Sequence, residues 1–125
     1  MTRDRALTVL LVEDEPMIAE LVCDTLCAKG FKVHAVADGQ QALDYVQSDA
    51  RIDIMLTDIF LGGSMNGVEL ATKARALRPE LPVVYSSGQV GAAEVAPLVP
   101  RSVFVPKPYD VGEICTLLGR LATAA

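Results

Sequence analysis

The run Val9-Leu10-Leu11-Val12-Glu13-Asp14-Glu15-Pro16 decides the fold, because it joins an apolar strand, a group of acids and the start of a helix. Four consecutive aliphatic residues are typical of a parallel strand that is covered on both faces. Pro16 suits the first position of a helix, and acidic residues beside a helix N-terminus are favourable for its dipole. The run therefore predicts a strand that ends in carboxylates and leads directly into a helix.

The same alternation of strand and helix continues through the chain. Strands are predicted at 7–12, 32–37, 52–57, 83–86 and 102–105. Helices are predicted at 16–29, 40–48, 67–78, 91–98 and 110–122, the fourth being short because Pro97 and Pro100 follow closely. Five successive β-α units predict a parallel sheet with right-handed crossovers and helices on both faces.

Within the first helix, apolar residues recur at helical spacing and predict the side that packs on the sheet. These residues are Ile18, Leu21, Val22, Thr25 and Leu26. Cys27 falls roughly opposite Ile18 and is expected to be exposed, and an ordinary packing role is favoured over a redox role for Cys23 and Cys27. His34, the only histidine, is interpreted as a strand residue rather than a phosphodonor.

The composition bounds the class of protein. The chain has 125 residues, 51% of them hydrophobic and 22% charged, which indicates one globular domain over 1–125 with a core at about 7–122 and no output domain. The net charge of −5 argues against a nucleic-acid surface, and no apolar run approaches the roughly 20 residues that cross a bilayer. Three cysteines without a signal peptide favour the cytoplasm.

Reactive side chains follow four of the five predicted strands. The first strand ends in Glu13-Asp14-Glu15, the third in Asp58, the fourth in Ser86-Ser87 and the fifth in Lys107-Pro108. If these strands are neighbours, the side chains meet at one edge of the sheet. Three carboxylates repel one another unless a cation lies among them, and hard oxygen ligands suit Mg²⁺. A lysine and a hydroxyl opposite the cation would complete a phosphoryl-transfer site.

Each of these residues has an ordinary structural interpretation when it is taken alone. Asp14 or Asp58 could cap a helix or form a turn, Ser86-Ser87-Gly88 could be a turn, and Lys107 could be a solvated lysine. Four such strand ends in this order favour the functional interpretation.

Four segments together resemble the response-regulator receiver domain of two-component signalling. They are the run 9–16, Leu56-Thr57-Asp58-Ile59, the run 82–88 and the run 104–109, and the resemblance covers nearly the whole chain. It implies an α/β, flavodoxin-like doubly wound sheet of five parallel strands in the order 2-1-3-4-5, with five helices.

The resemblance also implies a role for each matching residue. Asp58 would be the phosphoacceptor, Lys107 its cationic partner, and Ser87 and Phe104 the switch residues. The Mg²⁺ ligands would be Glu13, Asp14, Asp58 and the backbone carbonyl of Phe60. The Lys107–Pro108 bond would be cis, as it is in the family.

The implied function is that of a single-domain response regulator rather than an enzyme. Asp58 would take its phosphoryl group from a sensor histidine kinase or a histidine phosphotransfer protein, and an unknown downstream protein would bind around the fourth helix, fifth strand and fifth helix. An independent protein, weakly favoured by the start at Met1, and a receiver excised from a hybrid kinase both stay open. No nucleic acid and no membrane are expected as partners.

Two features depart from the family pattern. The glycine after the acceptor is Gly67, nine residues on rather than eight, and the intervening loop lacks the usual proline. Phe60 stands where many members carry a polar side chain, so it is expected to shield the acyl phosphate and slow its hydrolysis.

Two other functions are disfavoured. A phosphatase acting on small substrates through Asp58 would need an acid at Phe60 and a substrate cap. A flavodoxin-like cofactor binder would meet repulsion from Glu13-Asp14-Glu15 where it needs a phosphate-binding loop.

Overall fold

A computed structural model describes residues 6–61, 65–87, 99–107 and 110–123. Strands and helices alternate along these residues. The strands are β1 (Thr8–Val12), β2 (Lys32–Val36), β3 (Ile54–Asp58), β4 (Val83–Ser87) and β5 (Ser102–Pro106). The helices are α1 (Pro16–Ala28), α2 (Gly39–Gln47), α3 (Gly67–Leu77) and α4 (Val111–Thr123).

The five strands form one parallel sheet in the order β2-β1-β3-β4-β5. The predicted strand order and the doubly wound topology are therefore confirmed. The chain passes from β1 outward to β2 and then crosses to the other side of β1 to form β3, so the order reverses between β1 and β3. In sheets of this kind the carboxyl ends of the strands beside that reversal form the binding crevice.

Each face of the sheet carries its own apolar core. On one face α2 and α3 pack through Val46, Leu70 and Ala74 against Leu10 and Met55. On the other face α1 and α4 pack on the alternate residues of the same strands. That second core contains Val9, Leu11, Val22, Leu26, Ile54, Leu56, Val84, Ile114, Cys115 and Leu118. Because both faces are covered, the central strands are almost wholly buried, as their continuous apolar runs predict.

Side-chain caps fix the N-termini of two helices. The Asp38 carboxylate accepts a hydrogen bond from the Gln41 N–H and caps α2. At α3, Asn66 accepts from the Glu69 N–H while the Glu69 carboxylate accepts from the Asn66 N–H. This reciprocal pair is a capping box, and it fixes the direction in which α3 leaves the loop after β3.

The predicted element bounds differ from the observed ones by a residue or two, and one burial prediction is wrong. Leu21 was expected on the packed side of α1, but 60% of its surface is exposed. Val22 and Leu26 hold the buried positions, and each step along a helix turns about 100°, so Leu21 points away from the sheet. The helix predicted at 91–98 lies outside the described residues. None of the helices in the described ranges is long and apolar enough to cross a membrane.

Candidate phosphoryl-transfer site

The sheet brings the predicted strand-end residues to one edge. Glu13 directly follows β1, Asp58 and Ser87 are the last residues of β3 and β4, and Lys107 directly follows β5. Backbone hydrogen bonds extend the ladder to these positions: Glu13 N–H donates to Val36 and Lys107 N–H donates to Ser87. The site residues are therefore held by the sheet itself rather than by mobile loops.

Lys107 joins the two sides of the site. Its Nζ lies 2.9 Å from Glu13 Oε1 and 3.2 Å from Asp58 Oδ2. The side chains of Glu13, Asp58 and Lys107 are only 3%, 12% and 17% exposed, so water screens these contacts weakly. The ammonium group therefore sits against the carboxylate that the sequence singles out as the acceptor.

Three carboxylates form one cluster at the edge of the crevice. Glu13, Asp14 and Asp58 each offer an oxygen, and these oxygens all lie within 4.8 Å of one another. Glu13 and Asp58 are largely enclosed, while Asp14 is exposed. Three negative charges against the single charge of Lys107 leave an excess of two, which a divalent cation would balance. The donors are hard oxygens, so the residues present fit Mg²⁺.

The electrostatics of Asp58 reflect this crowding. Burial raises the pKa of its carboxyl group, and the charges of Glu13 and Asp14 raise it further, while the charge and hydrogen bond of Lys107 act in the opposite direction. The net pKa is above the ordinary value for an aspartate. The ionised Asp58 is therefore held at a cost that a bound cation would relieve.

The opposite balance holds for Lys107. Burial lowers the pKa of the ammonium group, but the hydrogen bond to Glu13 and the charges of Asp58 and Glu13 outweigh burial. The net pKa is raised. Lys107 is consequently a permanent cation at neutral pH and can face the negative charge of a phosphoryl group.

The backbone of Asp58 is supported by a residue that the sequence did not single out as part of the site. A Cβ on Gly67 would collide with the carbonyl oxygen of Asp58, so α3 can begin this close to β3 only with glycine there. Gly67 N–H also donates to Ile59, 2.7 Å away, and the hydroxyl of Thr57 donates to the Asp58 carbonyl at 3.0 Å. The capping-box pattern Asn66-x-x-Glu69 was the available signal, because it marks where α3 starts.

The remaining predicted site residues lie on the β4–β5 side or just past the acceptor. Ser87 is buried at the end of β4. Phe104 lies opposite Tyr85 in the β4–β5 register and packs half-buried against the α2–α3 core. Phe60 lies two residues past Asp58, and its partly buried ring also packs against that core.

Several predicted features lie outside the described residues or away from the carboxylate cluster. Pro108, and with it the cis bond to Lys107, lies outside the described residues, as do residues 62–64 of the glycine-rich loop. His34 lies in the edge strand β2, where its ring stacks on Tyr45 with centroids 3.8 Å apart, so it is not part of the cluster.

Comparison with known proteins agrees with this geometry. The family described as response regulator receiver domain matches residues 9–118. The chain is 34% identical over 95% of its length to a response regulator receiver protein from Sinorhizobium medicae. It covers 96% of that chain, with a TM-score of 0.88.

Curated relatives include much longer proteins. The sensor kinase CckA of Brucella abortus is 30% identical over 87% of this chain, which spans 12% of that protein. The probable transcriptional regulatory protein TcrX of Mycobacterium tuberculosis is 30% identical over 91% of this chain, which spans 49% of that protein. The chain thus spans about half or less of the length of these relatives.

Proposed function

Because the chain belongs to the response regulator receiver domain family, whose members accept phosphoryl groups in two-component signalling, we propose that Asp58 is its phosphoacceptor. The observation that carries the proposal is the contact of Lys107 Nζ with Asp58 Oδ2 at the rim of the three-carboxylate cluster. This contact sets a nucleophilic carboxylate beside a fixed positive charge in a largely enclosed crevice.

The donor is a phosphohistidine on a partner protein, a sensor histidine kinase or a histidine phosphotransfer protein. A carboxylate oxygen of Asp58 attacks the phosphorus, an O–P bond forms, and the P–N bond breaks with its electron pair returning to the imidazole. Lys107 faces the phosphoryl oxygens and stabilises their charge in the transition state.

The carboxylates beside Asp58 hold the metal in this proposal. Glu13, Asp14, Asp58 and the backbone carbonyl of Phe60 would bind Mg²⁺, which supplies positive charge to the phosphoryl oxygens when bound. Support comes from the donor set, since three carboxylates lie together with only the ammonium group of Lys107 beside Glu13 and Asp58.

Transfer of the signal would run through Ser87 and Phe104. The Ser87 hydroxyl moves toward the acyl phosphate, and Phe104 turns further inward toward Tyr85, its neighbour across the strands. The rearranged surface near β5 then binds a downstream protein. This step is tested by measuring amide chemical shifts with and without beryllofluoride. In Ser87→Ala the anion should still bind, but the chemical-shift changes that it causes in β5 of the wild type should be absent. Equal β5 shifts in Ser87→Ala would rule the pathway out.

The acceptor itself is tested by incubating the protein with acetyl phosphate and Mg²⁺ and measuring its intact mass. We expect one phosphoryl adduct on the wild type and on Asp49→Asn, an exposed aspartate outside the site. Asp58→Asn should form none. An adduct of equal yield on Asp58→Asn would refute the assignment.

The exposed apolar side of α1 supports a docking position for the phosphohistidine protein. Met17 and Leu21 lie one helical turn apart and are 83% and 60% exposed, and the helix begins two residues after Asp14. A partner helix with apolar residues could cover both side chains while presenting its histidine to Asp58.

A charge on this surface should therefore separate protein donors from small ones. Leu21→Glu is expected to slow transfer from a phosphorylated histidine phosphotransfer protein at least about tenfold, the effect of roughly 1.4 kcal/mol. Its labelling by acetyl phosphate should stay at the wild-type rate. Leu77→Glu on α3, where Leu77 is 48% exposed, is the matched control. If both variants accept from the protein donor equally, docking at α1 is wrong.

A further inference from the structure

The second half of α1 carries two thiols side by side. Cys23 and Cys27 lie four residues apart in an unbroken helix, the first partly exposed and the second exposed. Side chains at this spacing are neighbours on a helix surface, so the two thiols can approach each other without any change in the backbone. The third cysteine, Cys115, is buried in the core between α1 and α4 and lies apart from the pair.

The pair is poorly placed to become a disulfide. Residues four apart on a helix have Cβ atoms about 5–6 Å apart. A disulfide needs Cβ atoms about 3.5–4.5 Å apart. Closing the S–S bond would therefore deform a turn of α1 that packs on the sheet through Val22 and Leu26.

A bridging cation has no such conflict. Metal–thiolate bonds of about 2.3 Å allow the two sulfurs to stay up to about 4.6 Å apart. Side chains four residues apart on an intact helix can turn their sulfurs to within that span. The helix geometry thus favours a sulfur–metal–sulfur bridge over a sulfur–sulfur bond.

The number of donors selects the kind of cation. Among the described residues, Cys23 and Cys27 belong to no group of three His, Cys, Asp or Glu ligands that could hold a metal together. Zn²⁺ takes four ligands in structural sites, whereas soft thiolates also select Cu(I). We propose that Cys23 and Cys27 form a binding site for a thiophilic d10 cation of low coordination number, with Cu(I) as its representative.

The chemistry of binding is a ligand exchange without a redox change. Both S–H bonds are replaced by S–Cu bonds, and two protons pass to solvent. Burial, the neighbouring thiol and the charge of Asp24 raise the pKa of Cys23 above its ordinary value, so the Cys23 thiol is largely protonated at neutral pH. The Cys23 thiol accordingly resists peroxide, which reacts with thiolates, but yields its proton to a soft cation.

The test is an anaerobic titration of the reduced protein with Cu(I) against a chromophoric Cu(I) chelator. We expect one equivalent to bind to the wild type. Cys23→Ser and Cys27→Ser should each bind about 10²-fold or more weakly, because the second thiolate then no longer acts at high effective concentration. Cys115→Ser should bind like the wild type, and circular dichroism of each variant checks that α1 is intact.

Two results would overturn the site. One is a wild-type affinity no greater than that of Cys27→Ser, which would show that a single thiol accounts for binding. The other is an equal loss in Cys115→Ser with the helix intact, which would place the cation elsewhere. A rise in the unfolding temperature of the wild type with Cu(I), absent from Cys27→Ser, would support the bridge independently, since only bound cation stabilises the folded state.

Discussion

At the scale of single residues, Phe60 stands where many members of the family carry a polar side chain. It lies two residues past Asp58 and packs its ring against the α2–α3 core, leaving part of the ring exposed. An apolar group here cannot hold a water molecule for attack on the acyl phosphate. The lifetime of the phosphoryl group should therefore be long.

Replacing Phe60 with a polar residue tests that lifetime. Phe60→Asn should speed phosphate release roughly fivefold, because one hydrogen bond to the attacking water is worth about 1 kcal/mol. Phe60→Leu, which keeps the position apolar, should release phosphate at the wild-type rate. Release would be followed as loss of the adduct mass after the donor is removed. Equal rates for Asn and wild type would show that Phe60 does not govern hydrolysis.

At the scale of elements, the start of α3 and the end of β3 form one unit. Gly67→Ala would push a methyl group into the Asp58 carbonyl, and overpacking of this kind costs about 1–3 kcal/mol. The variant should unfold at lower denaturant concentration and label more slowly with acetyl phosphate. Gly119→Ala is the matched control: nothing lies within 4 Å of the added Cβ in α4. It should be neutral or gain up to about 1 kcal/mol. A fully stable and active Gly67→Ala would contradict the close approach.

The sequence predicted the helices and strands better than it predicted the contacts between them. Continuous apolar runs identified the central strands, and the order of Asp14, Asp58 and Lys107 along the chain identified one edge of the sheet. Leu21 was misassigned because the spacing of apolar residues locates the buried face of a helix only to within one position. Whether Leu21 or Val22 is buried depends on how α1 is rotated against the sheet. The contact of Gly67 with Asp58 was also missed, because it joins two backbones; the capping box at Asn66 and Glu69 marks where α3 starts but not what Gly67 touches.

At the scale of the whole molecule, the carboxylate cluster should couple metal binding to stability. Mg²⁺ at one hundred times its dissociation constant should stabilise the wild type by about 2.7 kcal/mol, measured as a shift in the denaturant midpoint. Asp14→Asn removes one ligand and should lose most of this gain, whereas Asp49→Asn should keep it. An equal gain in Asp14→Asn would place the metal away from the cluster.

The same cluster determines how the stability of the protein depends on pH when no divalent cation is present. The pKa of Asp58 is raised above 3.8, its ordinary value, so the folded state binds this proton more tightly than the unfolded state does. The contribution of Asp58 to stability therefore falls as pH rises from 3.8 through the folded pKa, and the ionised carboxylate carries its full cost above that folded pKa. Asp58→Asn should consequently be more stable than the wild type at pH 7 in a chelating buffer.

The identity of the acceptor is tested most directly by chemical trapping. Borohydride reduces an aspartyl phosphate to homoserine, and peptide mass spectrometry then locates the reduced residue. After incubation with acetyl phosphate and Mg²⁺, homoserine should be found at position 58 and depend on the donor. Reduction at another aspartate, or labelled protein without homoserine at position 58, would contradict the account.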